Sequence, residues 1–326
     1  MTQNKLGELM NNRTQRVRPI VRDLIAPGVF VVAGAPKIGK TFWLMQLALS
    51  VATGERFLGH FPVARPGKVL YIYAEGGGTQ AAVNRFVSLV DDPDQYGDGD
   101  DNPLNSIRIE ADWPRGDAGR KRLDRFLAKY ADEYVLVVID TLAAFQQGAE
   151  DKSRDAYKFD YDFSLSLSQL AHRHRVAIVV AHHDRKAEAA DFLNSVSGTK
   201  GLTGGSDGII VMRRGRNETL GEMMLTAREL PEGQWTLQFE DVEWSLPEPP
   251  AMRNNASSLP KILAVLEAKP MRLNEIYEAL DGFSKSAIRQ SIHRTIHAKS
   301  PRLRRDRMGR YHVVKTYGLS DTRYGT

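Results

Sequence analysis

Residues 29–41 read VFVVAGAPKIGKT and contain the pattern G-x-x-x-x-G-K-[ST] of a phosphate-binding loop. An apolar, β-rich run precedes the glycines, and residues 42–52 after the pattern, FWLMQLALSVA, are good helix formers. Gly34 and Gly39 let the backbone curl so that several N–H groups point at one phosphate chain, and the helix adds its positive dipole end. A chance glycine-rich turn before a helix is the alternative, and the complete pattern with both flanks in place argues against it.

This loop defines the nucleotide-binding residues that the sequence predicts. Lys40 should reach the β- and γ-phosphates of ATP, and the Thr41 hydroxyl should bind Mg²⁺. ATP and Mg²⁺ are therefore the predicted cofactors. The predicted nucleotide-binding residues are Gly34, Ala35, Pro36, Lys37, Ile38, Gly39, Lys40 and Thr41.

The composition of the 326-residue chain is that of an ordinary globular protein, with 42% hydrophobic and 26% charged residues. The absence of cysteine excludes disulfides, thiolate chemistry and cysteine-ligated zinc, and it agrees with a reducing cytoplasm. No apolar run is long enough to span a membrane, and the polar N-terminus lacks the apolar core of a signal peptide. The net charge of +5 is unevenly placed: residues 258–326 contain 14 Lys and Arg against 6 Asp and Glu, and the remainder contains 31 against 34. This excess predicts that the C-terminal segment binds nucleic acid.

Two further apolar runs end in carboxylates that suit an ATP-hydrolysing site. Residues 68–74 (KVLYIYA) end at Glu75, and residues 134–139 (YVLVVI) end at Asp140. A carboxylate at a strand tip beside a phosphate loop can orient the attacking water, and an exposed loop glutamate is the alternative for Glu75. An aspartate after such an apolar run forms the Walker B pattern, so Asp140 would bind Mg²⁺ through its water shell.

A third apolar run, residues 176–181 (VAIVVA), ends at His182 and His183. Neighbouring positions on a strand point to opposite faces, which argues against one metal shared by both histidines. We favour a γ-phosphate sensor at the strand tip, with His183 preferred over His182, and a histidine that supports loop packing is the alternative. Because helical segments connect these runs with the phosphate-loop strand, the sequence predicts a mostly parallel α/β sheet flanked by helices, with four strand tips along one edge.

The chain after this third run is predicted to contain a functional loop and an antiparallel sheet edge. Residues 185–206 are expected to form a long glycine- and hydroxyl-rich loop, and such loops inside compact domains are usually functional. Lys186 and Lys200 in this loop suit contact with a nucleic-acid backbone. Strands at residues 208–213, 223–227, 235–239 and 242–246 are predicted to complete the sheet.

A linker that is proline-rich and then polar separates this core from a small C-terminal unit. Three helices, predicted at residues 259–268, 273–280 and 284–298, precede a hairpin with a basic tip, which is the element order of a winged helix-turn-helix. Its third helix would read duplex DNA and its wing would contact the backbone. A protein-contact module or a solvated basic face is the alternative. The predicted DNA-binding residues of the whole chain are Lys186, Lys200, Arg289, Arg294, Arg305 and Arg307.

These motifs together resemble those of the RecA-like ATPases. In that class the glutamate follows the second strand, which separates it from AAA+ proteins. Within the class, the sequence is most similar to the RepA-type hexameric replicative helicases of plasmids and phages. The residues that carry the resemblance are 34–41, Ala74-Glu75, Ile139-Asp140-Thr141, His182-His183 and the stretch SGTKGLTGGSD at 197–207.

The resemblance implies roles for several of these residues. Glu75 would be the catalytic base, Asp140 and Thr41 would hold Mg²⁺, and the loop around Lys200 would face single-stranded DNA in the central channel of a homo-hexamer. Such rings take an arginine finger from the neighbouring subunit, and Arg228 at the end of a late strand matches that place best. Arg213, Arg214 and Arg216 compete for the role, and a structural salt bridge is the alternative for Arg228. The predicted catalytic residues are Glu75, Lys40, His183 and Arg228.

Three functions compete at this point. The first is a hexameric DNA helicase driven by ATP hydrolysis, and the second is a replication initiator or recombinase-like ATPase without processive unwinding. The third is a DNA-binding regulator with ATP as a switch, against which Glu75 argues because a switch needs no water-orienting carboxylate. The protein is expected in the cytoplasm. The predicted parts are an arm at residues 1–27, an ATPase core at 28–246, a linker at 247–258, a winged helix at 259–316 and a tail at 317–326.

Overall fold

The computed structural model divides the chain into two compact units. One comprises Met1–Val90 and Asp100–Pro247, and the other comprises Asp91–Gly99 and Glu248–Thr326. The structure describes residues 18–90, 99–100, 102–148, 156–183, 200–247, 258–280, 285–296, 302–306 and 308–314. Lys186 and Arg307 therefore lie outside the described residues, as do most of the predicted arm, the predicted linker and the predicted tail.

The first unit is built on a nine-stranded sheet with the order β3-β2-β4-β5-β1-β6-β7-β8-β9. Its first six strands in that order are mutually parallel, and the last three continue it in antiparallel fashion. This confirms the predicted mostly parallel sheet. The strands are β1 (Gly28–Gly34), β2 (Lys68–Tyr73), β3 (Ile107–Glu110), β4 (Tyr134–Asp140), β5 (Ala177–His183), β6 (Gly208–Arg214), β7 (Leu220–Ala227), β8 (Gly233–Glu240) and β9 (Glu243–Ser245).

Helices cover both faces of the parallel part, which explains why its central strands are apolar up to their carboxyl ends. In β1, Phe30 and Val32 belong to one hydrophobic core, whereas Val29, Val31 and Ala33 belong to the other. The first two helices supply the first core and the later ones the second. The helices are α1 (Lys40–Thr53), α2 (Gly78–Leu89), α3 (Gly116–Lys129), α4 (Leu142–Gln146), α5 (Ala156–His174) and α6 (Lys200–Gly205).

Two elements of this unit differ from the sequence-based expectations. Strand β3 was not predicted, because it has only four residues and lies at the sheet edge without a fully buried position. The predicted loop at 185–206 is wrong for its last part, since Lys200–Gly205 forms helix α6. A Cβ on Gly201 would lie 2.1 Å from the Tyr157 carbonyl oxygen, so the glycines allow α6 to pack directly against α5.

The second unit has its own hydrophobic core, which includes Ile262, Ile276, Ile288 and Tyr311. Its described elements follow the predicted order of three helices and a hairpin, and Met271 forms an additional antiparallel bridge with Tyr311. The winged-helix assignment stays a prediction. The elements are α7 (Ser258–Ala268), α8 (Leu273–Ala279), α9 (Lys285–Ile296) and the antiparallel pair β10 (Leu303–Arg305) and β11 (Tyr311–Val313).

Among the residues that the structure describes, no helix combines the length and the apolar character needed to cross a membrane.

Candidate active site

The phosphate-binding loop connects the end of β1 with the start of α1. Gly39 caps the helix with a φ of 107°, in the left-handed region that favours glycine. The Lys40 side chain is buried, and its ammonium donates hydrogen bonds to the carbonyl oxygens of Gly34 (2.8 Å) and Ala35 (2.9 Å). Its Nζ also lies 3.2 Å from Nδ1 of His183. The lysine is therefore held at the beginning of the loop and against the tip of β5.

Sheet register brings three of the predicted catalytic residues, Lys40, Glu75 and His183, to one edge together with Asp140. Gly34 pairs with His183, and Tyr73 pairs with Asp140, so the carboxyl ends of these four strands meet. The backbone N–H groups of Ala74 and Glu75 both donate to the Asp140 carbonyl oxygen, at 2.7 and 3.3 Å, which keeps the chain beside β4 as it leaves β2.

Contacts between side chains link Glu75 to the phosphate loop through His183. The imidazole Nε2 of His183 lies 3.5 Å from Oε1 of Glu75, while its Nδ1 faces Lys40. The side chains of His183 and Glu75 are 40% and 35% exposed, so water and a ligand can reach both. A lysine, a histidine and a carboxylate thus form one continuous series at the sheet edge.

Asp140 is fully buried, and its two carboxylate oxygens have different surroundings. Oδ2 accepts a hydrogen bond from the Tyr71 hydroxyl at 3.1 Å, whereas Oδ1 has no hydrogen-bond partner among the described residues. Burial is the main cause that raises the pKa of Asp140 to about 6, and the negative charge of Glu75 adds to it. The neighbouring Thr41 hydroxyl, the hydrogen bond from Tyr71 and the charge of Arg85 act in the opposite direction.

These surroundings agree with a Mg²⁺ site. A buried carboxylate oxygen without a donor, next to a threonine hydroxyl, is the kind of oxygen pair that a hard divalent cation takes together with substrate phosphates. No cluster of three His, Asp or Glu side chains that could hold a metal occurs in the described part of the chain. Asp140 and Thr41 fit a Mg²⁺ ion that nucleotide phosphates also bind.

The structure places Arg228 away from this edge. Strand β7 runs antiparallel to β6, so Arg228 and Asp207 lie at the opposite end of the sheet from Gly34. Nη2 of Arg228 donates to the Gly204 carbonyl oxygen at 2.9 Å, and Nη1 lies 3.9 Å from Oδ1 of Asp207. Arg228 thus has contacts within its own chain, as a structural salt bridge requires. Its role in a neighbouring subunit stays a proposal.

The structure describes Lys200, Arg289, Arg294 and Arg305 of the predicted DNA-binding residues. Lys200 begins α6, and Arg294 lies in α9, but the structure describes the backbone of both and not their side chains. Arg289 is half-buried in α9. Arg305 is exposed in β10, with its guanidinium 5.8 Å from the ring centre of Tyr311.

Sequence analysis missed the contribution of Tyr71 to the site. In the apolar run of β2 it reads as a core residue, and its ring does pack against Phe86. The available signal was the hydroxyl itself, because the hydroxyl of a buried tyrosine usually finds a hydrogen-bond partner. Only the register of β2 with β4 reveals that this partner is Asp140.

Comparison with known proteins adds a family and a fold. A family model described as AAA domain, AAA_25, matches residues 3–189, more than half of the chain. A solved structure of a DnaB-like replicative helicase, reported with its interactions with primase, is similar at a TM-score of 0.53 and 14% identity, over 70% of this chain and 60% of that one. The chain thus spans less than two thirds of that helicase. The RadB recombinase gives a TM-score of 0.45 and 17% identity, over 68% of this chain and 92% of that one.

No curated protein sequence matches the chain. The family match and the likeness to the helicase structure support a RecA-like fold with a P-loop ATPase site, in agreement with the sequence-based expectation.

Proposed function

Because the chain belongs to the AAA_25 family of AAA domains, we propose that it is a DNA motor of plasmid or phage type. In this proposal it is a hexameric replicative helicase that couples ATP hydrolysis to movement on single-stranded DNA. The observation that carries the ATPase part is the convergence of Lys40, Glu75, Asp140 and His183 at the edge where the phosphate loop begins.

Each side chain at this edge has a different role in ATP hydrolysis. When ATP binds, the Lys40 ammonium leaves the loop carbonyl oxygens and bonds the β- and γ-phosphates instead. Glu75 orients the attacking water and accepts its proton. Asp140 and Thr41 are the residues that would hold Mg²⁺, which when bound neutralises charge on the phosphates. His183 lies between Lys40 and Glu75, a place from which it can respond to the γ-phosphate.

A cavity of about 480 Å³ beside the loop offers room for the rest of the nucleotide. It is lined by Gly34, Ala35 and Ile38 and by residues of β6, β7 and β8. Its volume lies in the range of small-molecule sites, roughly 300–1,000 Å³.

The DNA part of the proposal has a separate basis. The basic excess of residues 258–326 suits duplex phosphates, and Lys186 and Lys200 would face single-stranded DNA in the ring channel. The similar helicase structure agrees with such a partner, and the proposed place of action is the cytoplasm. The C-terminal unit favours a second candidate, an initiator or recombinase-like ATPase that assembles on DNA without processive unwinding.

Strand displacement on a forked DNA substrate distinguishes the two candidates. A helicase should release the labelled strand with ATP and Mg²⁺, and should release none with a non-hydrolysable ATP analogue. The Glu75→Gln protein serves as the matched control. DNA-stimulated ATP hydrolysis without any strand release would reject the helicase and leave the initiator or recombinase-like ATPase.

A further inference from the structure

Two side chains from far along the chain hold the outer side of the phosphate loop. The indole N–H of Trp244, in β9, donates to the Gly39 carbonyl oxygen at 3.0 Å. Nε of Arg214, the last residue of β6, donates to the Ile38 carbonyl oxygen at 3.3 Å. These are the last two loop carbonyls before helix α1, and the Gly39 carbonyl oxygen also accepts from the Trp43 N–H of α1 at 3.0 Å. Arg214 binds from β6, at the end of the parallel part of the sheet, and Trp244 binds from β9 in the antiparallel part.

Trp244 is itself fixed in position. It is fully buried, and Gln46 of α1 bonds both of its backbone groups: Oε1 accepts from the Trp244 N–H and Nε2 donates to its carbonyl oxygen, each at 2.9 Å. The Phe239 ring lies 4.8 Å from the Trp244 ring, and the Arg214 guanidinium lies 4.5 Å from the centre of Phe239. We call Arg214, Phe239 and Trp244 the loop clamp.

The loop clamp leaves room only for glycine at position 39. A Cβ there would lie 2.8 Å from Nε1 of Trp244 and 3.0 Å from the Phe239 ring. The positive φ of Gly39 adds a second reason for this residue. The loop and the clamp are therefore packed so closely that a movement of one displaces the other.

Because of the geometry of the peptide bond, these two contacts also determine the direction of N–H groups on the phosphate side of the loop. A carbonyl oxygen and the following N–H share one planar trans unit and point in opposite directions. When the clamp binds the carbonyls of Ile38 and Gly39, the N–H groups of Gly39 and Lys40 point away from the clamp. Backbone N–H groups directed in this way are what a phosphate-binding loop needs.

We propose that Trp244 and Arg214 are positioning residues for nucleotide binding, which orient the loop N–H groups before the nucleotide arrives. The proposal rests on the nucleotide-binding part of the proposed function. The clamp residues lie beyond residues 3–189, the range that the family model matches.

Trp244→Phe tests the proposal because it keeps an aromatic ring and removes the donor. A net hydrogen bond contributes about 1 kcal/mol, so the Kd for mant-ADP with Mg²⁺ should rise about fivefold. Orientation of the loop helps the ground state and the transition state alike, so KM for ATP should rise while kcat stays within about twofold. Arg214→Met should raise the same Kd and provides a second variant if Trp244→Phe does not fold. An unchanged Kd would overturn the role of Arg214, whereas a rise also includes any contact with the nucleotide, because Arg214 lines the cavity beside the loop.

Trp43→Phe is the matched control. Trp43 is also fully buried, beside the same loop in α1, but its indole N–H has no hydrogen-bond partner among the described residues. The substitution removes the same atoms without removing a bond to the loop. It should leave the Kd within about twofold, although the melting temperature of either variant can fall.

The outcomes separate the clamp from the proposed function. Absence of mant-ADP binding by the unmodified protein would reject nucleotide binding and the clamp together. Normal binding by the unmodified protein, with the same Kd for Trp244→Phe, would overturn the clamp alone. An equal rise in Kd for Trp43→Phe would also overturn it, because general loss of core packing would then explain the effect.

Discussion

At the scale of single residues, burial and a neighbouring negative charge both act on Asp140. Its folded-state pKa is raised from 3.8 to about 6, because the carboxylate is buried and Glu75 is nearby. The folded protein therefore binds this proton more tightly than the unfolded chain. As a result, the free energy of unfolding of the Mg²⁺-free protein falls as the pH rises from about 4 to about 6, and stays low above that.

Asp140→Asn should remove the free-energy cost of burying an ionised carboxylate. At pH 7 without Mg²⁺ the variant should be more stable than the unmodified protein, by at most roughly 3 kcal/mol, the cost that corresponds to the raised pKa. The advantage should shrink as the pH approaches 4, while Mg²⁺-dependent hydrolysis is lost. Urea unfolding of both proteins at several pH values measures this difference in the free energy of unfolding. A stability difference that does not change with pH would contradict a buried, charged Asp140.

At the scale of elements, the strands and helices around the phosphate loop were predictable because each has a strong local signal. The loop pattern, three apolar runs with polar ends and the helical connections together determine a parallel sheet and its functional edge. The contacts of Tyr71 and Trp244 were not predictable, since they depend on strand register and on partners far apart in the chain. The glycines of α6 read as loop residues in the sequence, but in the structure they allow close helix packing.

Helix α6 provides the prediction at this scale. Gly201→Ala would place a Cβ 2.1 Å from the Tyr157 carbonyl oxygen, which cannot move without moving α5. We expect a loss of about 1–3 kcal/mol in the free energy of unfolding, typical of overpacking, and weaker DNA stimulation of ATP hydrolysis because Lys200 lies next to the substitution.

Gly204→Ala is the control for this substitution. It lies in the same helix, but its Cβ would meet only the Tyr161 ring, at 3.2 Å, and a ring can move aside. Chemical unfolding and ATPase rates with and without single-stranded DNA compare the two. Equal effects of both substitutions would show that close packing at Gly201 is unimportant.

At the scale of the whole molecule, the proposal depends on assembly and on a division of labour between two units. Every proposed phosphate-contacting group belongs to the first unit, whereas residues 258–326 carry the excess of positive charge. Arg228 lies at the opposite end of the sheet from its own phosphate loop, so any catalytic role for it needs another subunit.

Mixing two inactive proteins tests a role of Arg228 in trans. Arg228→Ala should slow hydrolysis by something on the order of 10³-fold, the low end for arginine fingers. Mixed rings of Arg228→Ala and Glu75→Gln subunits should regain part of the activity, because some interfaces then contain both intact groups. Co-assembly without any regained ATPase activity would assign Arg228 to its contacts with Gly204 and Asp207.

Deletion of residues 258–326 tests the division of labour. Basal ATP hydrolysis should persist, while duplex binding weakens and depends less steeply on salt, because fewer phosphate contacts release fewer counterions. Lys200→Ala in the full chain should do the reverse, lowering DNA-stimulated hydrolysis and sparing duplex binding. The measurement is the affinity for duplex DNA at several salt concentrations, for the full chain and the deletion variant. An unchanged affinity and salt slope after deletion would make the C-terminal unit a protein-contact module.

The most direct test of the central claim is single-turnover ATP hydrolysis by Glu75→Gln. The amide keeps the shape of the side chain and loses the base, so Mg²⁺-ATP should bind with nearly the Kd of the unmodified protein while hydrolysis falls by at least about 10²-fold. Lys40→Ala, prepared in parallel, should lose nucleotide binding itself. Turnover by Glu75→Gln close to that of the unmodified protein would contradict the assignment of this sheet edge as the site of ATP hydrolysis.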